Sequence, residues 1–451
     1  MLQSTDSRKT QILANLFNGY EGPAFAIRLW DGWSWSSSAN QKPVFTVVLE
    51  NPKVLALLIG EPNEITLGEA FIHGDLDVEG DLFSVFSIAE HLLSRPRSLR
   101  QRIFEKSAAK LFALGEQIRH GSLHSLRRDR DSISYHYDQP AAFFEPWLGE
   151  TFAYSCAYFR SPQDTLDVAQ EQKLELICQK LRLKPQERFL DIGCGWGSLI
   201  LHAACRHGAQ AKGITLSSNQ AETAKRRIVQ ARMEQSCAVE LRDYRLFEAE
   251  DQLFDKIASI GMFEHVGLKN LPQYFRIAHR LLRPGGVFLN HGIARSALSP
   301  IHENSFIERY VFPGSHLVTV SEALSAAESQ GLEVRDVENL REHYNLTLRR
   351  WVEGLQRNAD TLLALVPKVT YRSWLLYMAG SAEAFRRGDI GVYQALLSRP
   401  DRGNSQLPLT REDWNSESAD RQEVGVWGLG PGRAREKQGL HLPRVPGFGD
   451  T

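Results

Sequence analysis

The chain has 451 residues, which is enough for two or three domains that each bury a hydrophobic core. A formal charge of −1 gives no general attraction to nucleic acid, so we expect no nucleic-acid partner. No apolar run is long enough to span a membrane, and the start of the chain lacks the apolar segment of a signal peptide. The five cysteines form no C-x-x-C pair, which disfavours disulfides and a zinc site and favours a cytoplasmic protein without a metal.

Residues 1–93 are predicted to form a small α/β domain. Two short apolar segments, separated by a turn at Asp31–Trp35, have the composition of strands: Ala24–Trp30 and Val44–Leu49. Asn51–Gly60 is strongly helical, and the alternating pattern of Ile65–Leu82 favours extended structure, with turns at its Gly-Asp pairs. This domain contains no cluster of catalytic residue types.

Residues 94–130 are predicted to form a basic helical linker. Apolar residues recur there at helical spacing among many basic ones: Leu99, Ile103, Phe104, Leu111, Leu114 and Ile118. One interpretation is a solvated helix whose apolar stripe packs on a neighbouring domain. The other is a basic amphipathic element that binds the surface of an anionic bilayer.

Residues 131–398 are predicted to form a catalytic domain. An aromatic stretch, 133–159, lines either a core or an apolar pocket, and Asp164–Leu181 follows as an amphipathic helix. Arg188–Gly197 then indicates a strand, a tight glycine turn and the start of a helix. Glycines let the backbone approach a ligand closely, and the exposed N–H groups of a first helical turn bind polar groups. The same turn would also form in a βα unit that binds no ligand.

Strands alternate with helices after the glycine turn. The predicted strands are Gln210–Leu216, Val239–Tyr244, Phe254–Ile260 and Val287–His291. This order implies a parallel sheet with right-handed crossovers and a ligand site at the carboxyl ends of the strands. Further on, Val337–Leu355 begins a helix, and 368–397 is predicted to be a pair of helices. Residues 399–451 are rich in Pro, Gly, Arg and Ser, and we expect a disordered tail.

Several motifs in this order resemble one family. The spacing D-x-G-x-G-x-G at Asp191–Gly197 is similar to the S-adenosylmethionine (SAM) loop of class I methyltransferases. The combination of motifs resembles the cyclopropane-fatty-acyl-phospholipid synthases from about Ile12 to Ser398: YSCAYF at 154–159, GITLSSNQ at 213–220, SIGMFEHVG at 259–267, FLNHGIA at 288–294 and HYNLTL at 343–348. The implied fold is a Rossmann-like, doubly wound α/β sheet with a small N-terminal α/β lipid-binding domain.

The resemblance implies a reaction and a base. The π-bond of an unsaturated acyl chain attacks the methyl group of SAM, and loss of a proton from that methyl group closes a cyclopropane ring. In the family the base is a bound bicarbonate ion. The matching residues are the side chains of Glu264, His291 and Tyr344 and the backbones of Cys156 and Ile293. A carboxylate, an imidazole and a phenol suit an ion that both donates and accepts hydrogen bonds.

These residues also have structural interpretations. Glu264 and His265 could cap the following helix, and only one of the two is expected to face the pocket, because neighbours at a strand end point in opposite directions. Tyr344 on its own would be a core aromatic residue. Nothing beside Cys156 lowers the pKa of a thiol, so its expected role is a backbone one.

The resemblance also assigns the SAM site. Asp191, Gly193, Gly195 and Gly197 would hold the amino-acid end and shape the turn. The other matching positions cover the methionine end, the ribose and the adenine, in that order: Tyr154 and Ser155; Thr215, Leu216 and Gln220; Asp243, Tyr244 and Arg245. Thr215 stands where many class I methyltransferases have an acidic residue, which agrees with the cyclopropane family.

The leading hypothesis is a cyclopropane synthase that acts on unsaturated phospholipids in anionic bilayers, peripherally associated with the inner face of the membrane. The resemblance also favours a homodimer. The alternatives are an acyl methyltransferase that leaves a methyl or methylene branch, a small-molecule N-methyltransferase, and a lipid-binding protein with a degenerate transferase half. The intact motifs disfavour the last of these, and the first domain disfavours an amine substrate.

Overall fold

The computed structural model describes residues 2–60, 62–94, 139–247, 253–299, 306–311 and 317–414. The predicted basic linker and the part of the tail beyond 414 lie outside these ranges. Among the residues described, no helix combines the length and the apolar character needed to cross a membrane.

The N-terminal domain is a four-stranded sheet covered by helices. In the described ranges the strand order is β2-β1-β3-β4, with β1 and β3 parallel and the other pairs antiparallel. The strands are β1 (Phe25–Leu29), β2 (Ser34–Ser36), β3 (Phe45–Leu49) and β4 (Leu76–Gly80), and the helices are α1 (Leu2–Leu16), α2 (Pro52–Ile59), α3 (Glu64–His73) and α4 (Val85–Leu93). The two predicted strands and the helix after Asn51 are confirmed.

Two local predictions for this domain are wrong. The alternating stretch after Ile65 is mostly helix α3, because Asn63 and Thr66 form a reciprocal capping box and Gly74 ends the helix in a left-handed conformation. Part of the predicted turn at Asp31–Trp35 belongs to β2, since Trp35 pairs with Ile27.

The catalytic domain is built on a mostly parallel sheet, as the sequence predicts. Its order in the described ranges is β10-β11-β9-β8-β5-β6-β7, and within these ranges only β11 is reversed, antiparallel to both of its neighbours, β9 and β10. The strands are β5 (Arg188–Ile192), β6 (Gln210–Thr215), β7 (Cys237–Leu241), β8 (Phe254–Ile260), β9 (Leu282–Arg295), β10 (Glu333–Asn339) and β11 (Ile390–Ser398).

Helices cover both faces of this sheet. The α-helices described after the N-terminal domain, some of which pack on other helices, are α5 (Ala141–Leu148), α6 (Leu166–Leu181), α7 (Ser198–His207), α8 (Ser218–Gln230), α9 (Leu271–Leu281), α10 (Phe306–Tyr310), α11 (Val320–Glu328), α12 (Arg341–Arg357), α13 (Ala359–Leu363) and α14 (Lys368–Arg387). Glu175 on α6 accepts hydrogen bonds from His202 and His207 on α7, at 3.0 and 3.1 Å, and Cys178 lies beside them. One carboxylate oxygen thus joins the two helices that flank the glycine turn.

Three predictions for the sheet need correction. The second member of the predicted helical pair is strand β11, which lies in the sheet between β9 and β10 and so buries the apolar side chains of both its faces. Strand β9 is longer than Val287–His291 at both ends. The helix predicted over Val337–Leu355 begins later, at Arg341, because 337–339 belong to strand β10, which pairs with β11.

The N-terminal domain and residues 399–414 both pack on the catalytic domain. Arg372 on α14 donates to the carbonyl groups of Phe71 and Leu76, at 2.6 and 2.9 Å, and pairs with Asp77. At the other end, Trp414 packs against the catalytic core, so the chain between 399 and 414 does not behave as the disordered tail that the sequence predicts.

Candidate active site

The glycine turn forms one wall of a pocket at the carboxyl ends of the parallel strands. The N–H groups of Gly193 and Cys194 both donate to the carbonyl oxygen of Ile214, at 2.9 and 3.0 Å, which ties the turn to β6. Gly193 has a φ of +84°, and a Cβ there would lie 2.8 Å from the Cβ of Met262. The turn therefore requires glycine both for its conformation and for the approach of the loop after β8.

Most of the predicted SAM residues line this pocket. They are Tyr154, Ser155, Asp191, Gly193, Gly195, Thr215, Leu216, Gln220, Tyr244 and Arg245. Two predicted residues do not. Gly197 begins α7 with a φ of +84° and packs against Ala224. The carboxylate of Asp243 is engaged by Arg245, through its backbone N–H and its guanidinium, so Asp243 orients a neighbour of the pocket.

Asp191 and Lys173 give the pocket its polar end. Both side chains are buried, and burial raises the pKa of Asp191 to about 7 and lowers that of Lys173 to about 8. Lys173 donates to the Oγ of Ser155 at 2.8 Å, whereas the Oδ1 of Asp191 is buried without a hydrogen-bond partner. A buried acceptor of this kind fits the amino group of a cofactor's amino-acid end.

Thr215 and Gln220 are held in place on the opposite side. The hydroxyl of Thr215 donates to the Oε1 of Gln220 at 2.7 Å and accepts from the backbone N–H of Ser217 at 3.2 Å. Ser217 in turn caps α8 by accepting from the Gln220 N–H. This arrangement gives an ordered hydroxyl and amide where the resemblance places the ribose.

Glu264 and His291 are two further polar residues next to the pocket: Glu264 precedes His265, which lines it, and the His291 carbonyl accepts from the N–H of Gly261, which also lines it. The Oε1 of Glu264 accepts from the Ile293 N–H at 2.7 Å, while its Oε2 is buried without a partner. The Nε2 of His291 is likewise buried without a partner. Burial raises the pKa of Glu264 to about 7, and burial with the nearby cations Lys173 and Lys180 lowers that of His291 to about 3.

The side chains of Glu264 and His265 point to different parts of the structure. They lie in a 3₁₀ turn, Phe263–His265, rather than at the end of a strand. His265 lines the cofactor pocket, and Glu264 is directed toward β9. The expectation that only one of the two faces the cofactor pocket therefore holds, with His265 as that residue.

Cys156, Ile293 and Tyr344 pack in one core cluster. The Sγ of Cys156 lies 3.8 Å from the Leu340 carbonyl, which also accepts from the Tyr344 N–H at 3.0 Å. Burial raises the pKa of the Cys156 thiol far above its ordinary value, so this thiol is a poor nucleophile. The ring of Tyr344 lies 4.7 Å from that of Phe385, centroid to centroid.

The aromatic stretch before α6 forms a core rather than an open pocket. Phe144, Trp147 and Trp374 contact one another and all contact Tyr154, with ring centroids 5.5 to 6.5 Å apart. Tyr154 also lines the cofactor pocket, and it is hydrogen-bonded to Tyr377. The aromatic cluster thus extends to the wall of the cofactor site.

Three buried polar residues near the site were not predicted from the sequence: Lys173, Lys180 and Gln394. The two lysines are spaced seven residues apart on the apolar face of α6, which is a visible signal for polar groups directed inward. Gln394 is a lone polar residue in an apolar run, but the run was predicted to be a helix, so its neighbours could not be inferred.

Comparisons with known proteins agree with this geometry. A family model described as mycolic acid cyclopropane synthetase matches residues 124–395, and a domain of unknown function (DUF7884) matches residues 11–93. A probable fatty acid methyltransferase from Pseudomonas putida is 38% identical over 392 residues, which are 86% of this chain and 95% of that protein. The cyclopropane-fatty-acyl-phospholipid synthase of Escherichia coli K12 is 36% identical over 264 residues, 58% of this chain and 66% of that one.

One similar solved structure is a complex with SAH, the form of SAM that has lost its methyl group. The mycolic acid cyclopropane synthase CmaA1, complexed with SAH and CTAB, shares 35% identity and aligns with a TM-score of 0.56 over 59% of this chain and 97% of that one. The chain belongs to the mycolic acid cyclopropane synthetase family. It is a SAM-dependent methyltransferase of the cyclopropane synthase type, and its sheet is that of the class I methyltransferases.

Proposed function

We propose that this chain transfers a methylene group from SAM to the cis double bond of an unsaturated acyl chain in a membrane phospholipid. The observation that carries the proposal is the pair of buried atoms without partners, the Oε2 of Glu264 and the Nε2 of His291. Two such atoms are costly to bury unless a ligand completes their hydrogen bonds. They lie beside a pocket that fits SAM, where a transferred methyl group would need a base.

The two polar groups fit a bicarbonate ion. When bound, SAM supplies the methyl carbon and bicarbonate the base that takes one of its protons, so that the C–H electrons close the ring. The His291 ring is neutral and offers one nitrogen, and Glu264 is held by Ile293 with its other oxygen directed away from that bond. Because the pKa of Glu264 is near 7, this carboxyl can hold or release a proton at physiological pH.

The aromatic cluster suits an acyl chain. Tyr154 joins the cluster to the cofactor pocket, so an apolar chain that displaced aromatic contacts there would reach the methyl group in a water-poor environment. When SAM is bound, the Oδ1 of Asp191 would accept from its amino group, and the Thr215–Gln220 pair would lie against its ribose.

The phospholipid form of the substrate is supported by the N-terminal domain. Arg372 on α14 holds this domain through hydrogen bonds to two of its backbone carbonyl groups. Together with the basic sequence 94–130, the domain would bind the enzyme to an anionic bilayer from the cytoplasmic side. The Escherichia coli relative is a phospholipid synthase by name.

The test uses the full chain, SAM and vesicles of an unsaturated phospholipid. The expected product has high-field cyclopropane protons in its proton NMR spectrum and has lost its olefinic protons. Olefinic methylene signals in their place would overturn ring formation. Parallel reactions with the free unsaturated fatty acid and with an amine identify the substrate class, and transfer to either of these but not to vesicles would overturn the phospholipid substrate.

A fatty acid methyltransferase is the second candidate. The relative from Pseudomonas putida, which is described as a probable fatty acid methyltransferase, matches over 95% of its own length and so includes the N-terminal domain. The same site would then leave a methylene branch, or a methyl branch next to a retained double bond, because the cation formed after transfer would lose a different proton.

A further inference from the structure

A buried chain of hydrogen bonds connects the Nδ1 of His291 to a side chain on β11 and, through it, to a side chain on α6. Gln394 on β11 pairs directly opposite His291 on β9, and its Nε2 lies 3.2 Å from the Nδ1 of the imidazole. The Oε1 of Gln394 lies 2.7 Å from the Nζ of Lys180. All three side chains are at most 2% exposed.

The chemistry of Lys180 fixes the orientation of the Gln394 amide. An ammonium group has only donors, so the amide atom that faces it must be the oxygen. Lys180 stays charged because it also pairs with the carboxylate of Glu338. The NH₂ group of Gln394 is therefore the atom that faces His291.

The amide orientation fixes the proton of the imidazole. An NH₂ group can only donate, so the Nδ1 of His291 accepts and carries no proton. The neutral ring then bears its single proton on Nε2, the nitrogen that is buried without a partner. We propose that Lys180 and Gln394 are positioning residues that hold His291 as the Nε2–H tautomer, so that it presents a hydrogen-bond donor to the anion beside the reacting methyl group.

This arrangement explains why a cation is buried at the sheet. Burying Lys180 is unfavourable, and desolvation lowers its pKa. The buried ammonium group nevertheless has a use, because a group that can only donate keeps the Gln394 amide from exchanging the positions of its oxygen and its NH₂ group. The ring of Trp414 lies 5.7 Å from the Nζ of Lys180 and covers it. The tautomer follows from the hydrogen bonds alone, whereas its use toward an anion rests on the proposed function.

The test reads the tautomer directly. In full-length protein with ¹⁵N-labelled histidine, the His291 signals are assigned by their absence in His291→Asn. The wild type is expected to show a pyridine-type shift at Nδ1 and a pyrrole-type shift at Nε2. A pyrrole-type shift at Nδ1 would overturn the proposal, whatever product the enzyme makes.

Gln394→Glu provides the decisive variant. A carboxylate between Lys180 and His291 accepts from both, so the imidazole proton is expected to move to Nδ1 and turnover to fall at least 10-fold with SAM affinity retained. Gln210→Glu, at the start of β6, is the matched control and leaves the tautomer unchanged. An unchanged Nε2–H tautomer in a folded, SAM-binding Gln394→Glu variant would contradict the role of Gln394.

Lys180→Met tests whether Lys180 orients the amide of Gln394. Without the ammonium group, both amide orientations become available and the His291 signals are expected to report a mixture of tautomers. Lys212→Met, which removes a lysine paired with Glu240 on the neighbouring strand, is the control and keeps a single tautomer. A single Nε2–H tautomer in Lys180→Met would show that Lys180 does not orient the amide.

Discussion

The Glu264 carboxylate accepts a hydrogen bond from the Ile293 backbone N–H at 2.7 Å, which ties the turn after β8 to β9. The resemblance assigns both residues to the bicarbonate site. In the structure, the Ile293 N–H points at Glu264 and leaves the second carboxylate oxygen available. This bond therefore positions Glu264 and leaves its Oε2 as the atom that the proposed bicarbonate ion would meet.

Glu264→Gln should separate chemistry from cofactor binding. The amide keeps the shape and can still accept from Ile293, but it cannot take up or release a proton. We expect turnover to fall by roughly 10²- to 10⁴-fold, as is usual when an acid–base group is lost, with the SAM dissociation constant within about threefold. Glu240→Gln on β7 is the control. A parallel loss of SAM affinity in calorimetry would contradict the assigned role.

Asp191→Asn should stabilise the SAM-free protein at high pH while abolishing SAM binding. The pKa of Asp191 in the folded protein, about 7, lies above its ordinary value of 3.8. The contribution of this side chain to the free energy of unfolding is therefore fully present below pH 3.8 and is lost as the pH rises through 7 and the buried carboxyl ionises. At pH 8 the amide variant should gain up to about 4 kcal/mol in the free energy of unfolding.

Urea unfolding across this pH range checks the Asp191 prediction. Asp360→Asn, the same substitution at an exposed position, is the control. The Asp191→Asn variant should still lose some stability as the pH rises, though less than the wild type, because the pKa of Glu264 is also raised. An Asp191→Asn variant that still gains stability from SAM would contradict the placement of the cofactor's amino group.

Cys156→Ala should retain most activity. The thiol is buried, its pKa is raised, and the assigned contribution is that of the backbone, so we expect turnover within about fivefold of wild type and a stability loss of about 1 kcal/mol. In the folded protein a thiol reagent should modify the more exposed Cys205 and spare Cys156. A loss of activity beyond 100-fold without unfolding would indicate that the thiol takes part in the reaction.

Trp414→Ala should loosen the end of α6. The ring covers Lys180 and lies 5.3 Å from the guanidinium of Arg182, which also pairs with Asp413. We expect a loss of about 1 to 2 kcal/mol and faster amide exchange at 178–184. Trp30→Ala, on the exposed surface of the N-terminal domain, is the control. Unchanged exchange at the end of α6 would show that residues 399–414 do not support it.

The sequence predicted the parts of the fold that local patterns determine. Arg188–Gly197 folds as a strand, a glycine turn and a helix because glycines and apolar periodicity act over a few residues. The order of strands and helices was sufficient to place Asp191, Thr215 and Tyr244 around one pocket. The motif resemblance added His291 and Glu264, which spacing alone would not have brought together.

The remaining features depend on tertiary contacts. Residues 390–398 form a strand because they pair with β9 and β10, although their apolar run also suits a helix. With β11 misassigned, the contact between Gln394 and His291 could not be predicted. Lys173 and Lys180 face inward because their partners lie on distant segments of the chain, Ser155 for one and Gln394 for the other.

The most direct test of the central claim uses SAM with a fully deuterated methyl group and vesicles of an unsaturated phospholipid. Ring formation with removal of one methyl hydrogen should leave two deuterium atoms in the product, on a carbon that belongs to a cyclopropane ring by NMR. A product that retains all three deuterium atoms in a methyl branch would contradict the account.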